Sequence, residues 1–317
     1  MFKYADYAYE IYKEKSFTKA ADNLFISQPS LSLTIKKLES ELGTTIFDRS
    51  GREITLTSIG EKYIAAIEQL KGIEKNLKNE IDDIQKLKTG SIVIGSTIFI
   101  SSYVLPDILK IFKNLFPGIE VNIVVEQSTV LEEMLKNDTV DFIIDNTLQK
   151  QMQYEYIPIL NEKILIGIPD DFSINDSIKK YEISHDDVKN DFKYYQTASG
   201  IDVSVLKNEN FILLKKGNNM RKITNNIFKQ CGITPTIAYE FDHLMTSISY
   251  AEANFGICFL TDTVLKYAKN LNGISLYLPC GKHQERSLYI IRKANKYHSF
   301  ASNEMIKCIT DFLIAKA

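Results

Sequence analysis

The segment 58–88 limits this chain more than any other. It has no proline and only two glycines, Gly60 and Gly72, and Tyr63, Ile67, Leu70, Glu74, Leu77, Ile81, Ile84 and Lys88 recur at alternating steps of four and three. That period predicts one long helix with a single apolar seam, interrupted by Glu74 and Lys88. Such a helix has no core of its own. The seam calls for a second helix, and self-association through Ile67, Leu70, Leu77, Ile81 and Ile84 is the favoured reading. The helix also divides the 317 residues into a short N-terminal part and a long C-terminal part.

The N-terminal part reads as short helices with a polar tail. Tyr4, Ala8, Ile11 and Tyr12 give a helical spacing over 3–14. Ser16 is placed to cap a second helix, Thr18 to Phe25, and Ser27 a third, with Pro29 in its first turn and Gly43 at its end. The third helix buries Leu31, Ile35, Leu38 and Leu42. Its opposite face carries Pro29, Leu33, Lys36 and Ser40, flanked by Ser32 and Lys37. Two β-prone runs around Ser50-Gly51 then predict a hairpin or wing bearing Arg49 and Arg52. A helix–turn–helix with a polar outer face suits a DNA major groove: Ser32, Lys36 and Lys37 for bases or phosphates, Arg49 and Arg52 for the backbone. The competing reading is a plain three-helix packing unit. Charge does not separate the two, because residues 1–65 hold 9 basic and 9 acidic side chains.

From Thr89-Gly90 onward strands and helices alternate. Strands are predicted at 92–95, 120–126 and 140–145 with helices at 102–115 and 128–136. A second set follows, with strands at 163–168, 211–214, 236–240 and 256–260 and helices at 219–231 and 243–254. A last strand, 286–292, precedes a terminal helix, 300–315. This order predicts parallel sheets with crossover helices, arranged as two α/β lobes around a cleft. The segment 170–208 has no clear pattern.

Several functions are excluded or disfavoured. No apolar run reaches the roughly 18 residues of a membrane helix, and the first residues lack the order of a secretory signal, so a cytoplasmic chain is expected. The net charge of −2 gives no global pull on nucleic acid. The four histidines and the cysteines Cys231, Cys258, Cys280 and Cys308 show no metal-ligand or redox spacing, and no nucleophile elbow, Walker loop or dinucleotide fingerprint appears. No catalytic residue, metal or cofactor is assigned, and the chain is expected not to be an enzyme. The cysteines are expected to be structural.

Together, Ser16-Phe17-Thr18-Lys19-Ala20-Ala21, Leu24, Ser27-Gln28-Pro29-Ser30-Leu31-Ser32, Ile35, Leu38-Glu39, Leu42-Gly43, Phe47-Asp48-Arg49 and Leu56-Thr57-Ser58-Ile59-Gly60 resemble the N-terminal signature of the LysR-type transcriptional regulators. Leu105-Pro106, Phe116-Pro117, Val140-Asp141-Phe142 and Cys231-Gly232-Ile233-Thr234-Pro235 are similar to segments of the same family. Leu33 departs from it, standing where a basic or polar residue is frequent, and Thr261 stands where a proline is frequent.

The resemblance implies an α/β protein with an N-terminal all-α winged helix-turn-helix at 1–58, a linker and dimerisation helix at 59–88, and an effector domain at 89–317 similar to periplasmic binding proteins. Lobe I is expected at about 89–161 and 268–317, lobe II at about 162–267. Gln28 and Ser30 join the DNA-facing set. The implied partners are a double-stranded operator, a polar or anionic small-molecule effector in the cleft, and further copies of the chain, as a dimer or tetramer. Effector candidates are polar residues just after strand ends: Ser96, Thr97, Ser101, Ser102, Gln127, Ser128, Thr129, Asn146 and Thr147. Thr197, Ser199 and Gly200 are the candidates from across the cleft. Each of these hydroxyls has a competing use as a helix cap. The alternative function is a cytoplasmic small-molecule-binding protein whose N-terminal helices only dimerise.

Overall fold

Ser16 and Ser27 start two helices by the same device. In a computed structural model describing residues 2–49, 54–84, 90–146, 150–190, 198–268, 271–281 and 285–316, Ser16 Oγ accepts the Lys19 N–H and Ser27 Oγ the Ser30 N–H. Helix α1 spans Ala5–Glu14, α2 Phe17–Asn23 and α3 Gln28–Leu42. Helix α2 ends two residues before the sequence expectation, because Phe25 takes a left-handed backbone (φ 55°) in the turn. Gly43 (φ 70°) closes α3. Leu31, Ile35 and Leu38 have no exposed surface and meet Ala8, Ile11 and Ala20 in one core.

Strands β1 (Phe47–Asp48) and β2 (Thr55–Leu56) pair antiparallel as the wing. Glu39 ties that wing to α3. Its Oε1 accepts the N–H groups of Ile46 (2.8 Å) and Phe47 (3.2 Å), and its Oε2 meets Arg49 at 3.2 Å. Helix α4 spans Ser58–Ile84. The Thr57 hydroxyl accepts the Gly60 N–H at 2.9 Å and donates to the Thr45 carbonyl at 2.7 Å.

The chain separates into two compact units, the first of residues 1–81 and 136–139 and the second of residues 82–135 and 140–317. In the second, β3 (Gly90–Ser96), β4 (Ile119–Val125) and β5 (Phe142–Asn146) form a parallel set. Helices α5 (Ile98–Tyr103), α6 (Leu105–Leu115) and α7 (Ser128–Lys136) connect them. The expected single helix 102–115 is two, because the chain turns at Val104 and restarts with Pro106 in the first turn of α6. Strand β6 (Tyr154–Pro169) leads out of this lobe, followed by the short helices α8 (Ile174–Ile178) and α9 (His185–Lys189). Strands β7 (Asn210–Leu214), β8 (Thr236–Phe241) and β9 (Ile257–Thr261) with helices α10 (Asn219–Gln230) and α11 (Leu244–Glu252) build the second lobe. Strands β10 (Ile274–Tyr277) and β11 (Glu285–Lys293) and helix α12 (Phe300–Lys316) complete the chain.

The strand order is β4-β3-β5-β11-β6-β9-β7-β8, with β10 also on β6. Residues 154–163 of β6 pair with β11, whereas 164–169 pair with β9 and β10. Since β10 joins the second-lobe half of β6, the chain returns to the first lobe between Tyr277 and Glu285 rather than near 268. No helix among the described residues is long and apolar enough to cross a membrane.

A Cβ at residue 60 would sit 2.1 Å from the Ile46 carbonyl oxygen. Alanine is the better helix former by about 1 kcal/mol, yet Gly60→Ala is expected to lower stability by about 1–3 kcal/mol through that clash. Urea unfolding checks this, and a midpoint equal to or above wild type would refute the contact.

Candidate functional site

The outer face of α3 exposes Gln28, Pro29, Ser30, Lys36 and Lys37, with Ser32 half-buried. Leu33 is 69% exposed at its centre. Phe25, 95% exposed in the preceding turn, adds an aromatic ring that helical periodicity did not reveal. Arg49 is engaged within the domain: its guanidinium meets Glu39 and lies 4.5 Å from the centre of the Phe17 ring. This fixes the wing and leaves only part of the group for a phosphate. Arg52 lies outside the described residues.

On α4 the expected seam needs one correction. Ile67 is 1% exposed, packed with Tyr63 and Ile64 in the core of the first unit, so it is not on the exposed stripe. The first turns of α4 belong to the winged domain. The stripe is Leu70, Ile73, Leu77 and Ile81, all exposed in the single chain. Ile73 was missed because Glu74 occupies the strict heptad position. The Ile84 side chain lies outside the described residues.

Between the lobes of the second unit is a cavity of about 430 Å³ at the ends of the parallel strands. Thr97, Gln127, Ser128, Thr129 and Asn146 line it. Thr97 stands at the N-cap of α5, but its hydroxyl makes no capping bond. Ser96 is fully buried with its Oγ 2.5 Å from Ser101 Oγ, so the pair locks the turn after β3 instead of facing the cavity. Ser101, Ser102, Ser199 and Gly200 do not line it either. Gly200 packs against the Pro279–Cys280 backbone. Thr147 and Thr197 fall outside the described residues.

Tertiary structure brings in residues that the sequence did not single out. Asn219, first in α10, donates through Nδ2 to the Asn146 carbonyl oxygen (2.7 Å) and to its Oδ1 (2.8 Å), joining the lobes across the cleft. At the cavity wall Arg286 Nε donates to Glu162 Oε2 at 2.6 Å, and Thr263 donates to Glu162 Oε1 at 2.5 Å. Glu162 is 1% exposed and Arg286 15%. Asp145 also lines the cavity at 4% exposure, and burial pushes its carboxyl up to about 6. An acidic residue ending the apolar run Phe142-Ile143-Ile144 was the available sign of it. Burial likewise pushes the Cys258 thiol up to about 12 and raises Cys231 and Cys308, so these three are not poised as thiolates.

A winged helix-turn-helix followed by a two-lobed α/β domain with a cleft is the architecture of a ligand-responsive, DNA-binding regulator. The model of the LysR substrate binding domain matches residues 85–313, and that of the bacterial regulatory helix-turn-helix protein, lysR family, matches residues 4–61. The chain belongs to the LysR family of transcriptional regulators. The HTH-type transcriptional regulator YcgK of Bacillus subtilis is 28% identical over 96% of this chain and 92% of its own length. Full-length CbnR, solved with its target DNA, superposes with a TM-score of 0.66 at 15% identity, covering all of both chains. The effector binding domain of QuiR, solved with shikimate, gives 0.56 at 14% identity over 72% of this chain and 98% of that one.

Removing one partner of the Glu162–Arg286 pair strands a buried charge. Arg286→Met is therefore expected to cost roughly 3–5 kcal/mol, and Glu162→Leu combined with Arg286→Met much less. Denaturant unfolding of the two single variants and the double variant checks this; additive losses would refute the coupling.

Proposed function

We propose that this chain is a cytoplasmic regulator, without catalysis of its own, that binds an operator through α3 and changes its DNA contacts when a small effector fills the cleft between the two lobes. The observation that carries the reading is the pairing, in one chain, of a capped helix with an exposed polar face and a cavity of about 430 Å³ walled by two lobes. The DNA complex of CbnR and the shikimate complex of QuiR supply precedent for each half in the same fold. Gln28, Ser30, Ser32, Lys36 and Lys37 meet bases and phosphates. Thr97, Gln127, Ser128, Thr129 and Asn146 meet the effector. Two copies associate through Leu70, Ile73, Leu77 and Ile81, placing two α3 helices on two half-sites. A gel shift with the DNA upstream of its own gene tests the operator function directly, and failure to bind any such fragment would leave only a ligand-binding protein.

Leu33 is the distinctive residue of the reading face. The thymine methyl is the only apolar feature on a base edge in the major groove. Leu33→Ala is expected to weaken binding to the native operator while hardly affecting one with uracil at the contacted position. Equal losses on both operators, measured by fluorescence anisotropy, would eliminate the methyl contact.

The stripe on α4 makes a separate claim about assembly. Charged substitutions at Leu77 and Ile81 together should abolish self-association and, with it, operator binding. A double variant that sediments as wild type would place the interface elsewhere.

A further inference from the structure

Helices α7, α10 and α11 all begin at the cavity wall, and helix N-termini favour anions. The most deeply buried charges of the site favour the opposite sign. Asp145 Oδ1 accepts the Asn146 N–H at 2.8 Å, and the Ser128 hydroxyl bonds the same carboxyl group. Neither partner is charged. The guanidinium whose field reaches Asp145 is that of Arg286, already held by Glu162. Lys215, also at the cavity, is held by Asp242 at 2.6 Å. Two buried carboxylates thus share one guanidinium in the cavity wall. A carboxylate out of water needs a counter-charge, and Asp145 has only a share of one while facing an open space of ligand size.

We propose that the effector is a small amine- or amidine-bearing molecule whose protonated nitrogen docks on Asp145, with its other polar end turned toward Lys216 and the N-terminus of α10. This rests on the cleft being the effector site. It refines the expectation of a polar or anionic effector, since helix N-termini accommodate an acidic group on the same molecule. Ser128 and the Asn146 amide orient the carboxylate, and the apolar side chains of Ile98, Leu214 and Met245 offer contact to a hydrocarbon body.

A pH signature follows. Burial is the main cause that raises Asp145, with Glu132 of α7 adding to it, while Ser128, Asn146 and Arg286 of β11 oppose it. With its carboxyl at about 6, Asp145 is ionised at pH 7.5 and mostly neutral at pH 5. Affinity for a cationic nitrogen should therefore fall about tenfold between those values. Glu162, Lys216 and His243 also face the cavity, but they are common to wild type and Asp145→Asn. The difference between the two pH profiles therefore isolates Asp145.

The test uses the full-length chain. A metabolite extract of the strain carrying the gene is split on a cation exchanger, and each fraction is scored by thermal shift, alongside putrescine, agmatine, L-lysine and L-arginine against succinate, glutarate and benzoate. The expected result is stabilisation by the retained fraction. Calorimetry on the compound isolated from it should show an affinity roughly 30-fold weaker in Asp145→Asn at pH 7.5. That variant should melt no lower than wild type above pH 6, because it removes a buried ionised group. Stabilisation confined to the unretained fraction would overturn the proposal without recourse to any variant, as would an affinity unchanged by Asp145→Asn. If no fraction raises the wild-type melting temperature, the cleft itself fails as an effector site, and this proposal fails with it.

Discussion

Strand β6 is the element both lobes require. Its first ten residues complete the sheet of one lobe through β11, and its last six complete the other through β9 and β10. The pairing with β11 ends at Lys163 and the pairing with β9 begins at Ile164, so at this point the lobes are joined by the covalent strand itself. They can twist about that point. The buried Glu162–Arg286 pair stands one residue before it, in the wall of the cavity. The chemistry of the cleft and the mechanics of the domain therefore meet at the same residues.

This arrangement explains why so much polar surface is tolerated in a well-packed interior. Glu162 is satisfied by Thr263 and Arg286, and Asp262 by the Lys163 amide and Lys266. The Asn146–Asn219 bonds link the lobes across the same cavity. Such networks are costly when broken and specific when complete. In a ligand-gated domain they give a ligand something to complete or to disturb.

What the sequence revealed follows the range of the forces involved. Ser16, Ser27 and Gly43 act on their own helices, so the ends of α3 were readable from neighbouring residues. The alternation of strands and helices in the effector domain was legible for the same reason. Strand β10 and helices α8 and α9 were not, since four or five residues carry no measurable period. Ile67 was misread because a helical repeat cannot say where a helix leaves one core and begins to face another. Asn146 and Asn219 lie 73 positions apart, and Glu162 and Arg286 lie 124 apart. No local pattern announces such pairs. Of the cleft, therefore, the strand-end hydroxyls were visible, and the buried charges that give it chemical character were not.

Glu39 has a consequence for how DNA is met. One carboxylate holds the Ile46 and Phe47 amides and the Arg49 guanidinium while riding on α3 itself. The first strand of the wing is thereby held in place relative to α3. The domain thus behaves as a gauge of fixed width. In the proposed operator complex, a base pair inserted between the stretch under α3 and the stretch under the wing would not be absorbed by movement of Phe47 to Arg49 relative to α3. Evolution of a new operator by this chain would proceed through changes in base identity within a constant frame, and not through changes of spacing inside a half-site.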